Sequence, residues 1–264
     1  MDNPDDLLRS GDLDGARAAL VETVKRAPSD VTARIFLFSL QCLLGEWERA
    51  QAQLRTMASL SPEAQMLAVN YNLAIEAERN RAEVFAGQAP PAMLVSSSAW
   101  AGDLAVALGA LAQGRLEEAE QSRDQAFDAA PDTPGDFNGT TFDWIADSDT
   151  RFGPAFEAII AGKWGLVPFD AVERILSEGP RDLRDLVWLP VQLSFKSGQS
   201  VNAMLPTRYP GTEASADGAL RLARGTEWSD QAWGQAGVGQ HQWTLSDGTD
   251  VDLLSLRRLA FGTA

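Results

Sequence analysis

The sequence has one cysteine and one histidine, Cys42 and His241, among 264 residues. A single cysteine excludes an intrachain disulfide, and one of each excludes a Cys/His metal site. A Ser-His-Asp triad would have to use His241, but no Gly-x-Ser-x-Gly turn accompanies it. His241 is expected to be a plain strand histidine. Cys42, among Leu40, Leu43 and Leu44, is expected to be a core thiol. Basic residues are also scarce: 22 against 37 acidic ones give a formal net charge of −15. The deficit is shared, −8 up to Ala130 and −7 from Pro131 on. Such a surface repels phosphate backbones and anionic membranes, so nucleic acid and lipid are disfavoured and a basic or amphipathic protein segment is the expected partner. No apolar run approaches the roughly 20 residues of a membrane span. The acidic opening Met1–Asp6 lacks the basic start of an export signal, and the expected location is the cytoplasm. There is no Walker lysine loop, and Gly237-Val238-Gly239 lacks the third glycine of a dinucleotide fingerprint, so no cofactor is expected.

What is present begins with a spacing. Gly11, Ala16 and Pro28 recur as Gly45, Ala50 and Pro62, and again as Gly114, Ala119 and Pro131. The first two copies are 34 residues apart, the period of a tetratricopeptide helical hairpin. Leu7, Leu8, Leu13, Leu20 and Val24, and then Ile35, Phe36, Phe38 and Leu40, follow helical spacing. Leu54, Met57 and Leu60 are expected to continue the inner face, and Ser29 or Asp30 to cap a helix. The stretch Glu63 to Val84 lacks the marks and is expected to be a degenerate helix pair, followed by a loop over Ala86 to Pro91. Asp103 to Leu111 and Leu116 to Ala129 complete the last repeat. Stacked hairpins usually offer a concave face to a helix or extended peptide.

Six of the eight tryptophans follow the Pro/Gly/Asp-rich stretch Pro131–Asp136. That shift places a boundary there: a helical repeat domain over residues 1–133 and a smaller α+β domain with an antiparallel sheet over 134–264. In the second domain a helix is expected from Pro154 to a stop at Gly162, carrying Phe156, Ile159 and Ile160. A short strand is expected over Lys163 to Val167, and a second helix opened by Asp170 and Glu173 and running through Leu176. Val187, Leu189, Val191, Leu193 and Phe195 alternate as a strand, with Pro190 suggesting an edge or a bulge; Val201 to Leu205 returns beside it. Asp247-Gly248 is a hairpin signal between Gln240–Leu245 and Val251–Leu259.

The acids Asp147, Asp149, Asp182 and Asp185 admit two readings. Gathered in one place, they would hold a divalent cation for hydrolysis. Interleaved as they are with Arg151, Arg181 and Arg184, they are expected to form bidentate pairs that fix loops. Most of the tryptophans are expected to be core or hairpin-pairing residues; if one or two instead anchor a partner, Trp228 and Trp233, in the Gly-rich segment Gly225–Gly239, are the pair to do so.

Four motifs stand in order behind the repeats: Trp144-Ile145-Ala146-Asp147-Ser148-Asp149-x-Arg151-x-Gly153-Pro154; Pro180-x-Asp182-Leu183-Arg184-Asp185-x-x-Trp188; Pro206-Thr207-Arg208-Tyr209-Pro210; and Glu227-Trp228. Together they resemble the ImpE/TagJ (SciE-type) family of type VI secretion accessory proteins, most closely over Phe142 to Gly211. The resemblance implies a non-enzymatic cytoplasmic factor that binds the N-terminal helix of the small, TssB-like sheath subunit. Through it, the factor would assist sheath assembly and disassembly with the ClpV-type ATPase. No catalytic, cofactor or metal residues are implied. Candidate structural or partner-surface residues are Trp144, Asp147, Asp149, Arg151, Asp182, Arg184, Asp185, Arg208, Tyr209, Trp228 and Trp233. The sequence departs from the family's pattern at Gly165, where an aromatic is expected, and at His241, where a basic residue, usually arginine, is expected. The alternatives are a general tetratricopeptide adaptor outside secretion and a metal-dependent hydrolase using the four aspartates.

Overall fold

A computed structural model describes residues 3–95 and 99–262; Met1 and Asp2 of the acidic opening lie outside them. Seven helices come first: α1 (Pro4–Ser10), α2 (Leu13–Arg26), α3 (Val31–Leu43), α4 (Trp47–Leu60), α5 (Pro62–Phe85), α6 (Ala99–Ala112) and α7 (Leu116–Ala129). The three marked glycines sit in the turns between paired helices at φ 84°, 68° and 74°, a left-handed conformation that glycine adopts without strain. The marked alanines Ala16, Ala50 and Ala119 are buried where paired helices meet. Asn3, Asp12 and Asp30 accept backbone N–H bonds at the starts of α1, α2 and α3.

The stretch expected to be a degenerate pair is the single helix α5. Nothing between Glu63 and Val84 breaks it, since the run has neither glycine nor proline and is rich in alanine and glutamate. At 24 residues it is about 36 Å long. Leu60 is 43% exposed instead of lining the inner face.

The strands are β1 (Gly135–Phe137), β2 (Thr140–Phe142), β3 (Ile145–Asp147), β4 (Ala155–Ile160), β5 (Lys163–Pro168), β6 (Val172–Leu176), β7 (Trp188–Phe195), β8 (Ser200–Pro206), β9 (Thr226–Gln231), β10 (Gly234–Gly239), β11 (Gln242–Leu245), β12 (Asp250–Asp252) and β13 (Arg258–Phe261). Among the described residues they form an antiparallel eight-stranded sheet, β2-β1-β13-β6-β7-β8-β4-β5, and two small sheets, β12-β11-β3 and β10-β9. The four-residue α8 (Gly218–Arg221) is the one α-helix described after Gly135.

Both helices expected in this half are strands. Ala155–Ile160 turns back into β5 through Ala161 and Gly162, both at positive φ (51° and 78°), the signature of a two-residue hairpin. Its run Ala-Phe-Glu-Ala-Ile-Ile is buried on both faces, so it shows no alternation. In β6 a register shift between Val172 and Arg174 brings Val172 and Ile175 to the same core, three residues apart. A bulge there imitates helical spacing. Pro190 lies in a central strand. Its carbonyl faces Ser177 Oγ at 3.4 Å, so its missing N–H points past the end of β6 at Leu176, where no ladder bond is lost. The expected strand Val251–Leu259 divides: β12 pairs with β11, and after a 3-10 turn at Leu253–Ser255, β13 joins the large sheet.

Two cores sandwich the large sheet. On one face Phe152, Trp164, Trp188 and Tyr209 pack among helix residues that include Leu37, Phe38, Met57 and Ile75. On the other, Leu189, Leu193, Phe156 and Phe169 pack against Trp243 and Leu245 of β11. The first core is shared by the helices and the strands.

The outer edge of β5 is covered by residues 92–94, through Leu166 N–H to Ala92 O and Leu94 N–H to Leu166 O, 2.8 and 2.9 Å. This explains Gly165. A Cβ there would lie 2.6 Å from Ala92 O, so the aromatic expected by resemblance has no room. Gly165→Ala is expected to cost about 1–3 kcal/mol. Gly102→Ala, on the open face of α6 with nothing near its Cβ, is expected to add roughly 0.5–1 kcal/mol. Thermal denaturation of the two variants should move in opposite directions.

Candidate functional site

Glu157 sits in an otherwise apolar strand, 3% exposed, and its carboxylate needs partners. Arg81 of α5 supplies two, Nε to Oε1 at 2.6 Å and Nη2 to Oε2 at 2.7 Å. The Trp164 indole N–H donates to Oε1 at 2.9 Å, and His241 Nε2 meets Oε2 at 2.9 Å. His241 Nδ1 then reaches Asp147 Oδ2 at 3.0 Å, and Asp147 Oδ1 accepts from the Tyr209 hydroxyl at 3.0 Å and the Asp149 N–H at 2.9 Å. In the other direction Arg81 Nη1 reaches Glu78 Oε2 at 3.3 Å, and the Trp188 indole N–H donates to Glu78 Oε1 at 2.9 Å. The chain of contacts runs unbroken from α5 through β4 to the loop before β11.

The charges follow from this geometry. Burial alone would raise the Glu157 pKa, but Arg81 and the bonds from His241 and Arg81 override it and hold it at about 2. Burial would lower the His241 pKa, but the Asp147 carboxylate and the hydrogen bonds His241 donates to Asp147 and Glu157 raise it to about 9. His241 is therefore held as an imidazolium between two carboxyl groups, its ring tilted by 41° against that of Tyr209, 3.9 Å between ring centroids. The plain strand histidine expected from spacing is instead a buried charged link, both ring nitrogens tied to carboxylates.

The motif residues divide into three sets. Asp149 holds Arg151 by Nε at 2.9 Å and Nη2 at 2.5 Å and accepts the Gly237 N–H at 2.9 Å. Arg208 is buried and donates to the carbonyls of Leu43, at the end of α3, and of Arg221 at 2.9 and 2.7 Å. Burial lowers its pKa to about 10. Asp182 and Asp185 form a separate capping box around the 3-10 turn Leu183–Leu186. Arg184 pairs with Asp182 at 3.1 Å and lies over the Tyr71 ring, its Cζ 5.0 Å from the centroid. The two aspartate pairs thus share no partner, and no group of three or more His, Cys, Asp or Glu among the described residues is placed to hold a metal ion. The four aspartates are therefore not gathered in one place, as the divalent-cation reading required. Arg181, expected among the aspartates' partners, pairs through its side chain with Glu178.

Trp228 and Trp233 are not the exposed pair. Trp228 packs on Tyr209, 5.4 Å between ring centroids, and Trp233 lies under the Arg151 guanidinium at 5.8 Å. The exposed tryptophan is Trp144, at 39%. Cys42 is fully buried, and burial pushes its thiol pKa up, as expected of a core thiol.

A groove of about 940 Å³ opens where the helices stop covering the large sheet. One wall is α5, through Asn70, Leu73 and Ala74; the floor is β7 and β8, through Pro190, Gln192, Asn202 and Met204; the other wall is Gly179, Arg181 and Arg257. The α5 wall continues as an exposed apolar stripe, Met66, Val69 and Leu73, one face of a helix. No spacing in the sequence marks this groove, because its walls come from three separate segments.

Residues 139–260 match the family model described as "ImpE protein", and residues 7–69 match a tetratricopeptide repeat model. The "Type VI secretion system accessory component TagJ" of Pseudomonas aeruginosa is 42% identical over 257 residues, 97% of this chain and 90% of that protein. A crystal structure of a Vibrio parahaemolyticus protein has the same fold, with a TM-score of 0.86 over 99% of this chain and 98% of that one, at 23% identity.

Glu157→Gln would leave Arg81 and His241 buried without their shared anion, and is expected to destabilise the fold by about 3–5 kcal/mol in chemical denaturation. The pH dependence has a definite sign. Folding raises the His241 pKa from 6.5 to about 9, so its contribution is complete below pH 6.5 and is lost as pH rises to about 9. Denaturation midpoints of the native chain should fall across that window. His241→Gln should start lower and lack that fall.

Proposed function

The chain belongs to the ImpE/TagJ family of type VI secretion accessory proteins, and from that premise we propose that it is a non-enzymatic docking factor for the small, TssB-like sheath subunit. It takes the subunit's N-terminal helix in the groove between α5 and the large sheet. It works in the cytoplasm and assists sheath assembly and disassembly, linked indirectly to the ClpV-type ATPase. The observation that carries this reading is the groove itself, open, bordered by an unpartnered apolar stripe and walled by a helix held in place by buried charges. The repeat-containing half supports the same reading, since such hairpins serve protein recognition. No helix among the described residues is long and apolar enough to cross a membrane.

The test is a pull-down with the small sheath subunit, with and without its N-terminal helix. Binding should require the helix, and Leu73→Asp, at a 46% exposed position, should weaken it at least about tenfold while leaving the melting temperature unchanged. Equal capture of both forms of the subunit would refute the proposal.

A further inference from the structure

Taking as given the reading that the groove receives a partner helix, we infer that this helix is amphipathic and carries acidic residues that face Arg257 and Arg181. It lies along β7 and β8 with its apolar stripe against α5.

The width sets the orientation. From β6 to β4 there are three strand spacings, about 14 Å. A helix with its side chains is about 10–12 Å across. One helix therefore fits between the walls, parallel to the strands, and touches both. Its two flanks meet different chemistry.

The α5 flank is apolar: Leu73 borders the groove, and Val69 and Met66 extend it. The opposite flank is cationic. Arg257 makes no ion pair among the described residues, in a chain where acids outnumber bases. Its Nη1 donates to the carbonyls of Leu254 and Leu256 at 3.0 and 2.8 Å, which holds the guanidinium in place. Gly179, at φ +77°, leaves room for it: a Cβ there would lie 2.3 Å from Arg257 Cζ. A positioned arginine with no carboxylate of its own, facing an open groove, is a seat for one from outside.

Among the described residues Arg181 forms its ion pair with Glu178 alone, both about 70% exposed, and such a pair exchanges readily for another carboxylate. The remaining acid on this wall, Asp185, is committed to the N–H groups of Arg181 and Asp182 at 2.7 and 2.9 Å. The floor amides of Gln192 and Asn202 have no side-chain partner among the described residues and accept a polar edge between the two flanks.

The test measures affinity of the full-length chain for the full-length small sheath subunit at low and high salt. Arg257→Gln, Arg257→Glu and Arg181→Glu are compared with the native chain, and acidic residues of the partner's N-terminal helix are replaced by arginine one at a time. Affinity should fall from native to Arg257→Gln to Arg257→Glu, about tenfold or more at the last step. The salt dependence should flatten, and one acid-to-arginine change in the helix should restore binding to Arg257→Glu. Binding that is lost with Leu73→Asp but indifferent to the arginine variants, with no rescue, overturns the acidic-flank assignment and leaves the groove reading standing. Absence of native binding, or indifference to Leu73→Asp, overturns both.

Discussion

A carboxylate inside an apolar strand obliges the rest of the chain to bring cations to it. Glu157 is that carboxylate, and its cations come from distant parts of the sequence: Arg81 from α5 and His241 from the loop before β11. Desolvating these groups is costly, and their mutual attraction repays that cost only when the geometry is good and the remaining lone pairs are satisfied. Trp164, Tyr209 and Trp188 supply those remaining hydrogen bonds. Sliding α5 by one helical turn, about 5.4 Å, would leave charge buried on both sides. The arrangement selects one register of helix over sheet, and the shared apolar core provides the bulk of the adhesion around it.

The same half of the chain also takes up one edge of the repeat arc. Arg224 donates to the carbonyls of Leu8 and Arg9 at the end of α1, both at 2.9 Å, and Arg208 to that of Leu43 at the end of α3. These are helix C-termini, where unsatisfied carbonyls concentrate partial negative charge and arginine is a natural cap. The turn glycines lie close by: the nearest atoms to a Cβ on Gly11 belong to Gly218, and to one on Gly45 they belong to Glu213. The first two hairpin turns are thus occupied, while nothing lies near a Cβ on the third, Gly114. The open groove lies beside α5, where the helices end and the sheet continues.

The repeats were legible because each depends on a single backbone event, a glycine at positive φ, which sequence records directly. The unbroken α5 leaves a trace of the same kind, since the absence of any glycine or proline between Glu63 and Val84 outweighs the repeat period there. The strands of the second half hid themselves. A bulge gave β6 a helical spacing, and β4, buried on both faces, had no alternation to show. Glu157 was the overlooked signal: one acid inside Ala-Phe-Glu-Ala-Ile-Ile announces a buried, partnered carboxylate. Its partners at Arg81 and His241 could not be found from spacing, because only tertiary structure brings them together. The motif that looked like an acidic site proved to be internal bracing, with Trp144 alone of its aromatic and charged members turned outward among the described residues.

The composition of the groove bears on how firmly it can hold anything. Its floor is mixed, Pro190 and Met204 beside Gln192 and Asn202, and the exposed apolar area lies mainly on Met66, Val69 and Leu73, 68%, 56% and 46% exposed. Covering them fully is worth about 1–2 kcal/mol each, and association costs at least about 4 kcal/mol in lost freedom. The apolar stripe thus roughly balances the cost of association, and net affinity must come from Met204, the floor amides and charge on the opposite wall. A surface built this way favours reversible, salt-sensitive docking over permanent assembly. The rigidity bought by Glu157 matters here: a wall that moved would add its own ordering cost and leave no affinity at all.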